Sequence, residues 1–133
     1  MSDKIRIGWA SRDITPDRPV SLRGLFNLRI AARVQDPLTL TALAIESGGE
    51  QAIIVSIDTC AVDDELLAVS REKVADRLPG LDPRKLIASA THTHTAPFAG
   101  GAVGLQKDTE YLDDIVAKYP DYMPTSEYTD LVV

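Results

Sequence analysis

Cysteine occurs once, at Cys60, in 133 residues. A single thiol forms no intrachain disulfide and builds no all-cysteine zinc site. Long apolar runs are missing as well. Nothing approaches the ~18–20 residues of a membrane-spanning helix. The opening Met1-Ser2-Asp3-Lys4-Ile5-Arg6-Ile7 lacks the apolar stretch of a secretory leader, so the expected compartment is the cytoplasm. Basic residues are outnumbered, 14 against 20 acidic, for a net charge of -6. That balance argues against non-specific nucleic-acid binding and against a polybasic membrane patch. Repeats and low-complexity segments are absent. What remains is 44% hydrophobic and 26% charged, ordinary for a globular chain long enough to bury one modest core.

Taken in order, Lys4 to Ala10 alternates and suggests a strand. Pro16 and Asp17-Arg18-Pro19 then mark a loop. Ser21 to Asn27 shows no clear period, and Arg29 to Val34 is a weak strand candidate. Leu38 to Glu46 is apolar on both sides, as an inner strand would be. Gly48-Gly49 closes a hairpin onto Gln51 to Ile57, a β-branched run of buried type. Asp63 or Asp64 can cap a helix to about Leu78, striped by Leu66, Leu67, Val74 and Leu78 and stopped by Pro79-Gly80. Lys85 to Thr91 reads as the next strand. Strand, helix, strand of this length is a βαβ unit with its two strands parallel. Helices are expected over about Asp108–Lys118 and from Thr125 or Ser126 onward. The fold class is therefore α/β: a mixed β-sheet with a βαβ unit flanked by helices. The last residues read as the opening turns of a helix, so 1–133 is expected to be the N-terminal piece of a larger domain.

Thr91-His92-Thr93-His94-Thr95-Ala96-Pro97 holds both histidines, at the end of that last strand. Continued as a strand, it points His92 and His94 to one side, with Cα atoms about 6–7 Å apart. One metal could then touch both rings, or one ring could hold a metal while the other meets a substrate. Alternatively, the pair is simply half-buried and hydrogen-bonded through the threonines. Asp58 and His92 finish neighbouring parallel strands at the same sheet edge, where open α/β sheets place ligands. Asp58 could hold an imidazole or ligate a metal, or it could be a turn aspartate. Cys60 reads as a small buried thiol rather than a nucleophile. Arg29 and Arg33 could grip a carboxylate or phosphate, or serve the structure. Gly100-Gly101-Ala102-Val103-Gly104 lacks the lysine of a phosphate loop and reads as a loop that brings backbone close to a substrate.

Three blocks resemble the N-terminal part of the neutral/alkaline (non-lysosomal) ceramidase family. They are Ile7-Gly8-Trp9-Ala10-Ser11-Arg12-Asp13-Ile14-Thr15-Pro16, the Arg29-to-Asp58 stretch ending in Val55-Ser56-Ile57-Asp58, and Thr91 to Pro97. The last is close to the family's Thr-His-Thr-His-Ser-Gly-Pro. The resemblance implies a zinc amidohydrolase that cleaves the C–N amide bond of N-acyl sphingoid lipids or related amides. It implies zinc held by His92, with His94 facing the substrate, and further ligands (a histidine, a glutamate and a tyrosine) later in the chain. Ala96 stands at a family glycine, and Phe98-Ala99 where the family loop is glycine-rich, so a narrower acyl-chain entrance is expected. Family members are typically exported, unlike the cytoplasmic expectation above. Catalytic roles are thus expected at His94 and Asp58, a metal at His92, and zinc as cofactor. The partner expected is a small-molecule or lipid amide, with no nucleic acid and no membrane span. The competing reading is a non-catalytic binding or assembly module; a third is a metal-free thiol hydrolase using Cys60.

Overall fold

The Gly48-Gly49 pair fixes the register of the sheet. Both glycines take left-handed backbone, φ 59° and 82°, in a two-residue turn whose twist suits the flanking strands. In the computed structural model, which describes residues 4–101 and 111–133, this turn joins β4 (Thr39–Ser47) to β5 (Glu50–Ile57). β1 (Arg6–Asp13) pairs antiparallel with β4 along its whole length, from Arg6 opposite Glu46 to Asp13 opposite Thr39. β6 (Leu86–Ala90) lies parallel to β5, entered through a 3-10 turn at Pro83–Lys85. The sheet order is β1-β4-β5-β6, so β4 is an inner strand as its two-sided apolar pattern implies. β2 (Val20–Leu22) and β3 (Arg29–Ala31) form a small separate hairpin sheet; β3 falls on the weak strand candidate Arg29 to Val34, whereas β2 lies in the stretch without a period.

The crossover between β5 and β6 is α1 (Asp64–Arg77), capped by the Asp63 carboxylate, which accepts from the Leu66 N–H at 2.9 Å. Leu66 is the fully buried residue of its apolar stripe; Leu78, expected to continue that stripe, ends the helix half-exposed. α2 (Leu112–Lys118) and α3 (Thr125–Val132) follow. The expected start of α2 near Asp108 and the glycine-loop residues Ala102–Gly104 lie outside the described residues. Pro124, not Thr125 or Ser126, occupies the capping position of α3.

The core joins Val55, Ile57 and Leu86 from the sheet to Leu66 of α1 and to Tyr128 and Val132 of α3. All of these sheet residues share one face. The opposite face carries a row that crosses all four strands, Trp9, Leu43, Ile54 and Ile87, with Trp9 78% exposed. Among the described residues β5 is therefore covered on one side only, although its composition suggested burial on both. No helix among the described residues is long and apolar enough to cross a membrane.

Candidate functional site

β5 and β6 finish side by side, and their ends are laced together. The Ile57 carbonyl accepts from the N–H groups of Thr59 and Thr91, both at 2.9 Å, and the Thr59 carbonyl accepts from the His92 N–H at 3.1 Å. His92 then turns into left-handed backbone, φ 65°, the sole non-glycine residue to do so among the described residues. Strain of this kind collects at functional sites, where surrounding bonds over-determine it. β6 has already ended at Ala90, so the two histidines do not sit in a strand and the expected strand alternation does not operate. The rings converge all the same. Their centroids are 4.8 Å apart, edge to face, and the two Nε2 atoms are 3.3 Å apart.

The tautomer of His92 follows from its partner. Nδ1 lies 2.7 Å from the Cys60 carbonyl oxygen, which can only accept, so Nδ1 carries the proton and Nε2 keeps its lone pair. That lone pair faces His94.

The β2–β3 hairpin seats His94. Leu22 bridges to Pro97, and the Arg23 N–H donates to the Ala96 carbonyl at 3.0 Å. The Arg29 guanidinium donates to the carbonyls of His94 and Arg23, so its role is to hold this loop's backbone. Gly24, at φ 110°, lies directly against the ring: a Cβ there would stand 2.6 Å from His94 Cγ. Neither Gly24 nor this use of Arg29 could be read from a segment without periodicity.

Phe98 is buried beneath the Arg23 guanidinium, 5.3 Å from its ring centre, and Ala96 and Ala99 are buried too. These loop residues therefore pack inward. Arg23 also reaches the buried Asp63 carboxylate at 4.0 Å, tying the loop to the start of α1. Gly100 and Gly101 press on Asp63 and Glu65 at that helix end, where an added Cβ would not fit.

Asp58 ends β5 as expected, but its Oδ2 accepts from the Thr39 N–H at 2.8 Å and the Thr39 hydroxyl at 3.0 Å. Among the described residues it is bonded to neither histidine. It lines an adjoining cleft of about 500 Å³ together with Arg33, Thr93, Thr95 and Pro97. Tyr128 lies buried nearby. Its phenol is pushed well above the ordinary value, first by burial and then by the Asp58 and Asp13 charges, so it stays neutral. A second hollow, of about 540 Å³, lies between the start of β1 and the end of α1, at the opposite edge of the sheet.

The residue that does join the histidines is Cys60. Its Sγ is 3.9 Å from His92 Nδ1, and donor atoms of Cys60, His92 and His94 all lie within 4.8 Å of one another. The two Nε2 atoms, 3.3 Å apart, open onto one point, so a metal held by His92 would lie within reach of a substrate that His94 touches. The Nδ1 donation of His92 to a carbonyl is the usual way a ligating imidazole is oriented. The donor set fits a metal. It does not suit a thiol nucleophile, because the His92 nitrogen nearest Sγ already carries a proton and can accept none.

No family model matches the chain, and no curated protein matches it. Solved structures do. Neutral ceramidase from Pseudomonas aeruginosa is similar at a TM-score of 0.65 and 20% identity, over 73% of this chain and 16% of that one. A ceramidase complexed with C2 is similar at a TM-score of 0.64 and 22% identity, over 70% of this chain and 15% of that one. At this identity the likeness establishes the fold, and the chain spans about one-sixth of the length of those neighbours.

Proposed function

We propose that the protein is a ceramidase-like zinc hydrolase that cleaves the C–N bond of an N-acyl sphingoid lipid or related amide. On this reading the 133 residues form the N-terminal portion of its catalytic domain. The observation that carries it is the convergence of the His92 and His94 Nε2 atoms at 3.3 Å, with the His92 lone pair aimed inward. The structural likeness to two ceramidases supports it at the level of the fold. Bound zinc supplies Lewis-acid polarisation of the amide carbonyl and a water whose pKa falls towards about 7.

The residues of this chain divide the remaining work. His92 holds the metal through Nε2, its ring locked by Nδ1 donation to the Cys60 carbonyl. His94 faces the substrate and donates from Nε2 to the oxygen that gains charge, or to the departing amine. Gly24 and Arg29 keep that ring in place. Asp58, held through Oδ2 by Thr39, lines the adjoining cleft as the carboxylate of the site. Further zinc ligands come from outside these 133 residues.

The test is zinc content and amide turnover of the intact protein. His92→Ala is expected to lose the metal, and N-acyl sphingoid substrates are expected to turn over only in the metal-loaded wild type. Unchanged zinc stoichiometry in His92→Ala would remove the assignment. Full metal without turnover of any amide would instead favour a non-catalytic binding module on the same scaffold.

A further inference from the structure

We propose that a hydrocarbon chain of the amide substrate packs on the tip of the β2–β3 hairpin, against Leu25 and Phe26, so that these two side chains set the preference for long-chain over short-chain amides. The inference rests on the reading that His94 faces the substrate, and it goes beyond it by naming the residues that select the chain.

The hairpin is fastened to the segment that carries His94. Leu22 bridges to Pro97, the Arg23 N–H donates to the Ala96 carbonyl at 3.0 Å, and the Arg29 guanidinium donates to the carbonyls of Arg23 and His94. Both ends of the turn between Leu22 and Arg29 are thereby fixed relative to the imidazole. Within the turn, Gly24 backs the Cγ–Nδ1 side of the ring, while Nε2 points to His92. Leu25 and Phe26 come next. Consecutive Cα atoms are about 3.8 Å apart, so the Phe26 side chain starts within about 8 Å of the glycine that backs the ring.

The exposure of the tip is a second observation. Phe26 is 85% exposed and Leu25 49%, whereas the turn at Gly48-Gly49 is flanked by Ser47 and Glu50. Single exposed apolar side chains are ordinary; two large ones in one turn beside a substrate-facing ring are a surface suited to a partner. The stem of the hairpin has the same character, for Val20, Leu22 and Ala31 line the cleft of about 500 Å³ together with Thr93 and Thr95, the neighbours of His94. From Gly24 to Leu28 no residue is charged. A hydrocarbon chain asks for no ion pair and no hydrogen bond, and this turn offers it apolar area alone. A bilayer surface fits less well, because two side chains on a protein of net charge -6 make a weak anchor.

The test is a chain-length series on the intact, zinc-loaded protein. Short and long acyl groups are compared on one amine, and short and long amines on one acyl group, all in the same detergent solution. One methylene in an apolar contact is worth about 10- to 200-fold in selectivity, and an open tip belongs at the low end. In the double variant Leu25→Ser, Phe26→Ser the ratio of long-chain to short-chain kcat/KM is expected to fall by about tenfold in one of the two series, carried by KM rather than kcat. Phe26→Leu is expected to keep most of the ratio. Cobalt(II) added to each metal-stripped variant should give the wild-type visible spectrum, which reports that the site is still formed; the single variants take over should the double variant lose it. A ratio that moves in neither series would overturn the proposal and leave the hydrolase reading standing. A loss seen only with substrate presented in vesicles would also overturn it, and would make the tip a membrane contact. A wild type that turns over none of these amides would remove both.

Discussion

Replacing Gly24 with alanine separates backbone strain from pressure on the His94 ring, because Gly49 offers a matched control. Both glycines have positive φ, 110° at Gly24 and 82° at Gly49. At Gly49 an added Cβ meets nothing within 4 Å, so Gly49→Ala reports conformational cost alone. For an L-residue in left-handed backbone that cost is about 1–2 kcal/mol. At Gly24 the added Cβ lies 2.6 Å from His94 Cγ, whereas carbon atoms rest about 3.5–4.0 Å apart. The imidazole must retreat by about 1 Å, and overpacking of this kind adds about 1–3 kcal/mol. Gly24→Ala is therefore expected to destabilise by about 2–4 kcal/mol, clearly more than Gly49→Ala. A 1 Å displacement of a catalytic group is also worth on the order of 100-fold in rate. Urea denaturation of the two variants, with amide turnover and cobalt titration alongside, gives both quantities. Equal destabilisation in the two variants, with turnover and metal binding untouched by Gly24→Ala, would refute the packing of His94 on Gly24.

Asp63→Ala should cost about 0.5–2 kcal/mol in chemical denaturation, because it removes the acceptor that caps α1. Asp63→Asn keeps the cap and should cost visibly less. Asp82 is held down to about 2 by its hydrogen bonds to Arg84. Its folded pKa lies below its unfolded value, so it stabilises above about pH 4, and that contribution fades as pH falls towards 2. Asp82→Asn should flatten the acid limb of the stability profile over that window. Asp58→Ala should leave the cobalt spectrum unchanged while weakening the sheet by about 1–2 kcal/mol, since the Thr39 N–H loses its acceptor. A cobalt spectrum that shifts in Asp58→Ala would place that carboxylate on the metal after all.

The elements that sequence could predict are those with a local cause. Gly48-Gly49 demands a hairpin wherever it stands between alternating runs, and Asp63 caps α1 with the carboxylate that its position suggests. The βαβ unit follows from lengths alone, and with it the shared ending of β5 and β6. Of the β2–β3 hairpin only β3 showed, as a weak strand candidate; β2 did not, because a strand of three residues is too short to show a period. The site was half readable. The pairing of His92 with His94 is real, but it arises from one left-handed residue rather than from strand alternation. The strand ends point to a partner from β5, and the residue nearest the His92 ring lies two positions further on. Asp58 folds back onto Thr39, while Cys60 reaches His92 because the Thr59 carbonyl binds the His92 N–H. Which way a side chain leaves a strand end depends on such bonds, and a single sequence does not display them.

Left-handed backbone at His92 sets robustness against chemistry at one position. Glycine or asparagine there would relax the main chain and, in a screen for heat tolerance, would be scored as improvements. Each would also delete the imidazole. A laboratory lineage selected for durability alone is thus expected to drift towards well-folded proteins with an empty centre, and only selection for turnover would hold the histidine in place.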